Sequence, residues 1–586
     1  MKYLLSLFIF IAFNGITQTH TNYKENKTYT YEETASIYTN FANQSPEYCK
    51  LINAGPSDYG KDIQLFLLNR AGNFTPKYIT NQNVILINNA IHPGEPCGVD
   101  ACIKLIEELL AHPKSIPSNL TLAIIPMYNV GGAHNRGCCS RANQNGPNEY
   151  GFRGNAQNLD LNRDFIKADS KNTKTFYRIF HSLAPAVFID THTSNGADYQ
   201  YIMTLITSQK DKMNPHISDL TMNSLNPYLY KKMELAGYPM TPYVNTIKSI
   251  PDEGLVGFLE TPRYSTGYTN LFNTISYVTE AHMLKPYHKR VESTYQFIKI
   301  MLDYMSNNEK LLKDTKIKAN NSIKNQKVFP LNWTLDQTKS DSILFAGYKA
   351  IYKKSEVTHL DRLFYDQNQP FKKYIRFCNE YNSSHQIEKS NYYIIPQAYS
   401  KIVQLLQANN VNVYQLTEDV LLNVSVAYIK TFETVSFPYE GHYLHYNQTV
   451  RNSSKSKTYI KGDYVIPLTD NKSRFIIETL EPQAVDSYFS WNYFDGVLQR
   501  KEGFSAYVFE DEAETMLIEN PALLDSLNEK RKNDEAFAQN SHAQLYYLYT
   551  QSEHFEPTIN QYPITRTNDL INPQNLIQLP PLSSVY

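Results

Sequence analysis

His92 and Glu95 stand three residues apart directly after the apolar run 84–87, and Pro93-Gly94 between them turns the backbone. An imidazole nitrogen and a carboxylate oxygen both suit a divalent zinc ion, and a catalytic zinc site takes about three protein ligands with one position left open. One such pair is not a site. Two further runs end in the same way: 186–190 leads into Thr191-His192-Thr193, and 275–279 leads into Glu280. Each run delivers a His or a Glu at its terminus, which asks for a sheet whose strand ends converge. Between them, residues 152–165 gather two arginines, three asparagines and two aspartates. A guanidinium fork there matches a carboxylate in two parallel hydrogen bonds. The chain contains no His-Glu-x-x-His, and Pro96 after Glu95 excludes the inverted His-x-x-Glu-His arrangement.

Taken in order, His92-Pro93-Gly94-Glu95, Asp160-Leu161-Asn162-Arg163, His192 and Glu280 resemble the zinc carboxypeptidase family (metallocarboxypeptidase family M14), whose ligands come as His-x-x-Glu plus a distant His. The likeness spans residues 30–305. It implies an α/β domain with a mixed central sheet flanked by helices, with Zn2+ held by His92, Glu95 and His192. Glu280 is then the general base that takes a proton from water and delivers it to the leaving amine. The resemblance further implies that Asn162 and Arg163 hold the substrate's terminal carboxylate and that Arg153 stabilises the carbonyl oxygen as it gains charge. Asp160 resembles the carboxylate that hydrogen-bonds the outer nitrogen of a ligand histidine. Tyr268 resembles a mobile substrate-binding tyrosine. Arg141 competes with Arg153 for its role, Tyr264 competes with Tyr268, and Asp190 has the alternative of capping its own loop.

The implied reaction is zinc-dependent hydrolysis of a C-terminal peptide bond, releasing one amino acid from a peptide with a free C-terminal carboxylate. The same metal, base and clamp would serve a deacylase of N-acyl amino acids. A secreted binding protein that kept the fold and lost catalysis is a third reading, and the retained ligands, base and anion-binding residues count against it. The insertion 131–151, with Cys138-Cys139 and Arg141, departs from a simple carboxypeptidase and is expected to shape the cleft.

Composition narrows the classes. Lys plus Arg number 56 against 57 Asp plus Glu, so no net field favours nucleic acid. Lys2, the apolar stretch 4–13 and the polar residues from Thr17 onward have the order of a secretory signal, expected over residues 1–18, which predicts a secreted or periplasmic protein. That stretch is too short for a stable membrane span. The six cysteines include no Cys-x-x-Cys pair, so a thiolate metal site is disfavoured.

Several elements must position these groups. Strands are expected at 63–68, 84–87, 122–127, 186–190, 199–205 and 275–279, with helices at 33–43, from Asp100, at 173–183, at 223–235 and through Val291 to Leu302. His-bearing loops at the carboxyl ends of such strands are where ligands sit in open α/β sheets. The long connection 128–165 has little periodicity and reads as a binding loop. The catalytic domain is expected over 19–310, a linker and small α/β region over 311–420, and a β-rich region with a tail over 421–586. No catalytic residue is expected beyond about position 320. His442 and His445 raise a second metal site, but an alternating strand would put them on opposite faces.

Overall fold

The computed structural model describes residues 20–581 and Val585; the expected signal at 1–18 lies outside the described residues. Eight strands form the central sheet: β1 (Cys49–Pro56), β2 (Asp62–Leu68), β3 (Asn83–Asn88), β4 (Leu120–Ile125), β5 (Val187–His192), β6 (Met203–Thr207), β7 (Met240–Pro242) and, after the two-residue β8 (Leu255–Val256) of another sheet, β9 (Ile275–Ala281). Their order is β1-β2-β4-β3-β5-β9-β6-β7. The middle strands β4, β3, β5 and β9 run parallel, while β1, β2 and β6 add antiparallel partners, so the sheet is mixed as expected. Every residue of β3, β4 and β5 is buried, which is why those strands read as unbroken apolar runs.

Alternation along β3 divides the interior. Ile85 and Ile87 pack with helices Tyr31–Gln44, Cys97–Ala111 and Tyr287–Asn307. Val84 and Leu86 point to the opposite face, toward helix Lys171–Leu183. That second core does not stop at the catalytic sheet. Phe176, Phe180 and Tyr268 share it with Leu405, Phe475 and Trp491, so the C-terminal half covers one face of the central sheet.

Beyond the sheet, helix Glu309–Asn325 replaces the expected linker. Leu312, Thr315, Ala319 and Ile323 are its buried positions, three or four residues apart, a helical stripe inside a polar sequence. Three β units follow. β10 (Val328–Leu335) pairs with β13 (Tyr381–Glu388), while the long hairpin of β11 (Asp341–Lys354) and β12 (Asp361–Cys378) takes up β8 at its base. The last sheet has seven strands, β14 (Tyr392–Ile395), β15 (Tyr414–Leu416), β16 (Val420–Thr434), β17 (His445–Tyr459), β18 (Tyr464–Pro467), β19 (Thr565–Thr567) and β20 (Leu576–Gln578). The C-terminal region is thus β-rich α/β, and long strands already fill 328–388, inside the stretch expected as a linker and small α/β region. Residues 506–549 form four helices around Phe509, Leu527 and Leu548, inside the region expected to be β-rich. Among the described residues no helix is long and apolar enough to cross a membrane.

Candidate active site

Strand register places the groups of the candidate site. In the parallel pair β5–β9, His192 lies opposite Glu280, so both side chains leave neighbouring strand ends. β3 runs beside β5 and stops at Asn88, and Ala90 then takes a left-handed φ of 55° as the chain leaves the sheet. The turn closes with Glu95 N donating to His92 O at 2.8 Å, and helix Cys97–Ala111 starts two residues later. Gly94 leaves room for a close approach here: a β-carbon would stand 2.8 Å from Arg141 Cδ, whose side chain crosses over the turn and would have to shift.

His92, Glu95 and His192 are buried, and one donor atom from each lies within 4.8 Å of the others. Both histidines turn Nδ1 toward Glu95, at 3.3 Å for His92 and 3.0 Å for His192. Their outer nitrogens face carboxylates: His92 Nε2 is 2.9 Å from Asp160 Oδ1, and His192 Nε2 is 3.2 Å from Asp190 Oδ2. Asp190 therefore stands at ion-pair distance from the outer nitrogen of His192 without a hydrogen bond to it, and accepts instead from Asn88 Nδ2 and Ser265 Oγ. Two imidazole nitrogens and one carboxylate, each imidazole backed by a second carboxylate, are a donor set suited to zinc. Among the described residues this is the one such cluster. Cys97 Sγ lies against Thr193 Oγ1 and Arg290 and is outside it. His442 and His445 each meet a single carboxylate, Asp169 and Asp495.

The charges around the cluster are strongly coupled. Burial opposes ionisation of Glu95, but Arg141 and His92 outweigh it and hold its carboxyl well below the usual range. Burial also opposes charging of His192, yet Asp190 and Glu95 raise it well above the ordinary imidazole value. Glu280 differs, because burial pushes its carboxyl up to about 7 against the pull of the His192 charge.

These groups line one cleft of about 310 Å3 together with Arg141, Arg153, Asn162, Arg163 and Tyr264. Arg153 binds Asp160 Oδ2 through Nη2 at 2.7 Å, while its Nη1 approaches His92 Nδ1 at 3.3 Å. Arg141 is committed elsewhere: Nη1 donates to Glu95 Oε1 at 2.6 Å, Nη2 to Thr193 O at 2.8 Å and Nε to Gln144 Oε1 at 2.6 Å. Cys138 and Cys139 form a disulfide in that loop, and Tyr150 OH accepts from the backbone nitrogens of Cys139 and Arg141. Asn162 Oδ1 accepts from Ser265 N at 2.9 Å, which fixes its amide.

One expected site residue is elsewhere. Tyr268 is fully buried, stacks on Tyr177 at 5.1 Å between centroids, and donates to Asn409 Oδ1 at 2.6 Å. It belongs to the core beneath the sheet and is no mobile cleft residue. The short helix Ser265–Asn270 explains this: Tyr268 lies inside it on a buried turn, whereas Tyr264 precedes it with extended backbone (φ -85°, ψ 152°) and so leaves in another direction. Tyr264, which precedes that helix, lies over Arg163 with the guanidinium carbon 4.4 Å from the ring centre. Sequence reading also missed Tyr439 and Glu440. Arg163 Nε donates to Tyr439 OH at 3.1 Å, and Asp160 N donates to a Glu440 carboxylate oxygen at 2.7 Å. Gly441 is a turn signal, but nothing local says where such a turn docks.

A second, more apolar pocket of about 460 Å3 adjoins the cleft and shares Ile206, Tyr243 and Phe258 with it. Ile343, Leu344 and Phe377 of the β11–β12 hairpin form one of its walls. Its charged lining residue, Lys210, is already paired with Glu380.

Residues 34–221 match the family model described as zinc carboxypeptidase. Solved structures similar to this chain include a metallo-carboxypeptidase from Burkholderia cenocepacia, at 14% identity over 47% of this chain and 70% of that one, with a TM-score of 0.35. Carboxypeptidase A from Helicoverpa armigera matches at 13% identity over 50% and 75%, with a TM-score of 0.36. Bovine thrombin-activatable fibrinolysis inhibitor, in complex with a tick carboxypeptidase inhibitor, matches at 12% over 49% and 100%, with a TM-score of 0.37. No curated protein matches. The family match thus covers residues 34–221, which hold His92, Glu95 and His192, while residues 222–586, Glu280 among them, lie outside it.

Proposed function

We propose that this protein is a zinc-dependent carboxypeptidase that removes single residues from peptides ending in a free carboxylate. The observation that carries the reading is the shared cleft, in which the His92, Glu95 and His192 donors, the carboxyl of Glu280 and the Arg163 guanidinium line one cavity. His92, Glu95 and His192 would hold the ion, and the chemistry it supplies when bound is Lewis acidity toward a carbonyl and toward the attacking water. Asp160 orients the His92 imidazole through its hydrogen bond, and the Asp190 carboxylate faces the outer nitrogen of His192. Glu280, beside His192 on the next strand, takes the water proton and carries it to the leaving amine. Arg153 serves the carbonyl oxygen as it gains charge: it keeps Nη1 at the cleft, whereas the nitrogens of Arg141 are engaged by Glu95, Thr193 and Gln144.

Arg163 and Asn162 take the terminal carboxylate, which sets the cut one residue from the end. The adjoining apolar pocket, with its lysine neutralised, supports a large apolar side chain on the residue released. The signal-like order of residues 1–18 supports action outside the cytoplasm. Matched peptides ending in an acid or an amide test the reading. The acid peptide should lose one residue, identified by product mass, and the amide should be a poor substrate. Equal rates, or cleavage at interior bonds, would reject the clamp. Activity confined to N-acyl amino acids would select the deacylase.

A further inference from the structure

The turn Tyr439–His442 lies more than two hundred residues beyond the family match, yet it touches both residues that hold the cleft's anion-binding end. It is tight and left-handed: Tyr439 N donates to His442 O at 2.7 Å, His442 N returns the bond at 3.1 Å, and Glu440 and Gly441 have φ of 51° and 83°. A left-handed glutamate is strained, which is tolerated only where the surroundings hold it. Here the surroundings are the segment 159–169. Glu440 accepts from Asp160 N at 2.7 Å, Tyr439 OH accepts from Arg163 Nε at 3.1 Å, and His442 Nε2 meets Asp169 Oδ2 at 2.8 Å. The brace is anchored in turn, because the Tyr439 ring stacks on buried Trp491 and lies 5.3 Å from the Arg263 guanidinium, itself bound to Asp486.

This changes what Arg163 can do. Its Nε is held by Tyr439 and its Nη1 by Asn162 O at 2.7 Å, while Tyr264 covers its face. Among the described residues Nη2 has no protein hydrogen-bond acceptor, and the side chain lines the cleft. A long side chain loses substantial rotamer freedom when it is fixed, and a group fixed before substrate arrives leaves that cost out of binding. We infer that Tyr439 and Glu440 are positioning residues for substrate-carboxylate recognition, Tyr439 by aiming the Arg163 guanidinium and Glu440 by holding the Asp160–Arg163 turn. The inference rests on the carboxypeptidase reading above.

The test is Tyr439→Phe in the full chain, which removes one hydroxyl and keeps the ring on Trp491. With the acid-ended peptide, KM should rise about 5- to 20-fold while kcat stays within about twofold, the signature of lost ground-state positioning. Thermal midpoint and zinc content should not change. Glu440→Ala should raise the same KM, and Glu440→Gln should restore it, because the amide oxygen can still accept from Asp160 N. An unchanged KM in Tyr439→Phe, or an equal rise for acid and amide peptides, overturns the inference while the carboxypeptidase reading stands. A wild-type enzyme indifferent to amidation overturns both.

Discussion

The two ends of the cleft are built differently. The metal end stands on strand termini: His192 and Glu280 are opposed by the register of β5 and β9, and His92 and Glu95 occupy the loop that leaves β3. The anion end stands on loop 152–165 and is braced by a turn from the other half of the chain. Sheet hydrogen bonding fixes the register of His192 and Glu280 and the point at which the chain leaves β3 toward His92 and Glu95. The anion end exists only after two distant parts of the chain have packed together. Metal binding should therefore depend on the C-terminal half less than substrate recognition does, since that half reaches the cluster only through Glu440 and Asp160.

The largest effect belongs to the metal end. His92→Ala or His192→Ala deletes an inner ligand with little loss of packing, so each should fold, lose most of its zinc and fall on the order of 10³-fold or more in activity. Near-full zinc occupancy in both purified variants would break the assignment. At the anion end, Arg163→Ala should cost on the order of 2 to 5 kcal/mol of transition-state stabilisation with acid-ended peptides and much less with amides. The readout is kcat/KM for the matched pair, and zinc content should stay at the wild-type level. A variant that lost zinc as well would show that the two ends are not separable.

A smaller effect is expected at the hairpin wall. A peptide ending in Phe should be cut at least about 10-fold more efficiently than the same peptide ending in Ala, and Ile343→Trp, which narrows the apolar pocket, should shrink that ratio. A preference for Lys or Asp termini would contradict the apolar pocket as the seat of the terminal side chain.

The smallest effect per step probes the core behind the metal loop. Asp100, in the helix after Glu95, is buried and receives hydrogen bonds from Thr28 and Tyr287, both at 2.6 Å. Burial pushes its carboxyl from 3.8 up to about 7. Between these values the folded chain holds a proton that the unfolded chain has released. Its contribution to stability is therefore complete below about pH 4 and is lost as pH rises through about 7, with a slope of up to about 1.4 kcal/mol per pH unit. Asp100→Asn cannot titrate and should flatten that part of the profile in denaturant unfolding. Identical slopes for wild type and variant would show that Asp100 is ionised in the fold.

Much of the metal end could be read without coordinates, because its determinants are local. An apolar run, a Pro-Gly turn and a His or Glu at the run's end specify a strand, its exit and the group it presents. The parallel core and its flanking helices followed from the same periodicity. Helix Glu309–Asn325 was legible in principle from its buried stripe and was obscured by its polar composition. The choice between Tyr264 and Tyr268 was not legible, because the two are four residues apart and only the packing of the helix between them decides which meets Arg163 and which meets Asn409. Arg141 and Arg153 were equally hard to tell apart, and only the structure shows that the first donates to Glu95 and the second to Asp160. Sequence by itself determined the chemistry that could gather at the strand ends. Tertiary structure alone decided that Tyr439 and Glu440 sit behind that chemistry, because a contact across 276 residues, such as Arg163 to Tyr439, leaves no periodicity or spacing in either segment it joins.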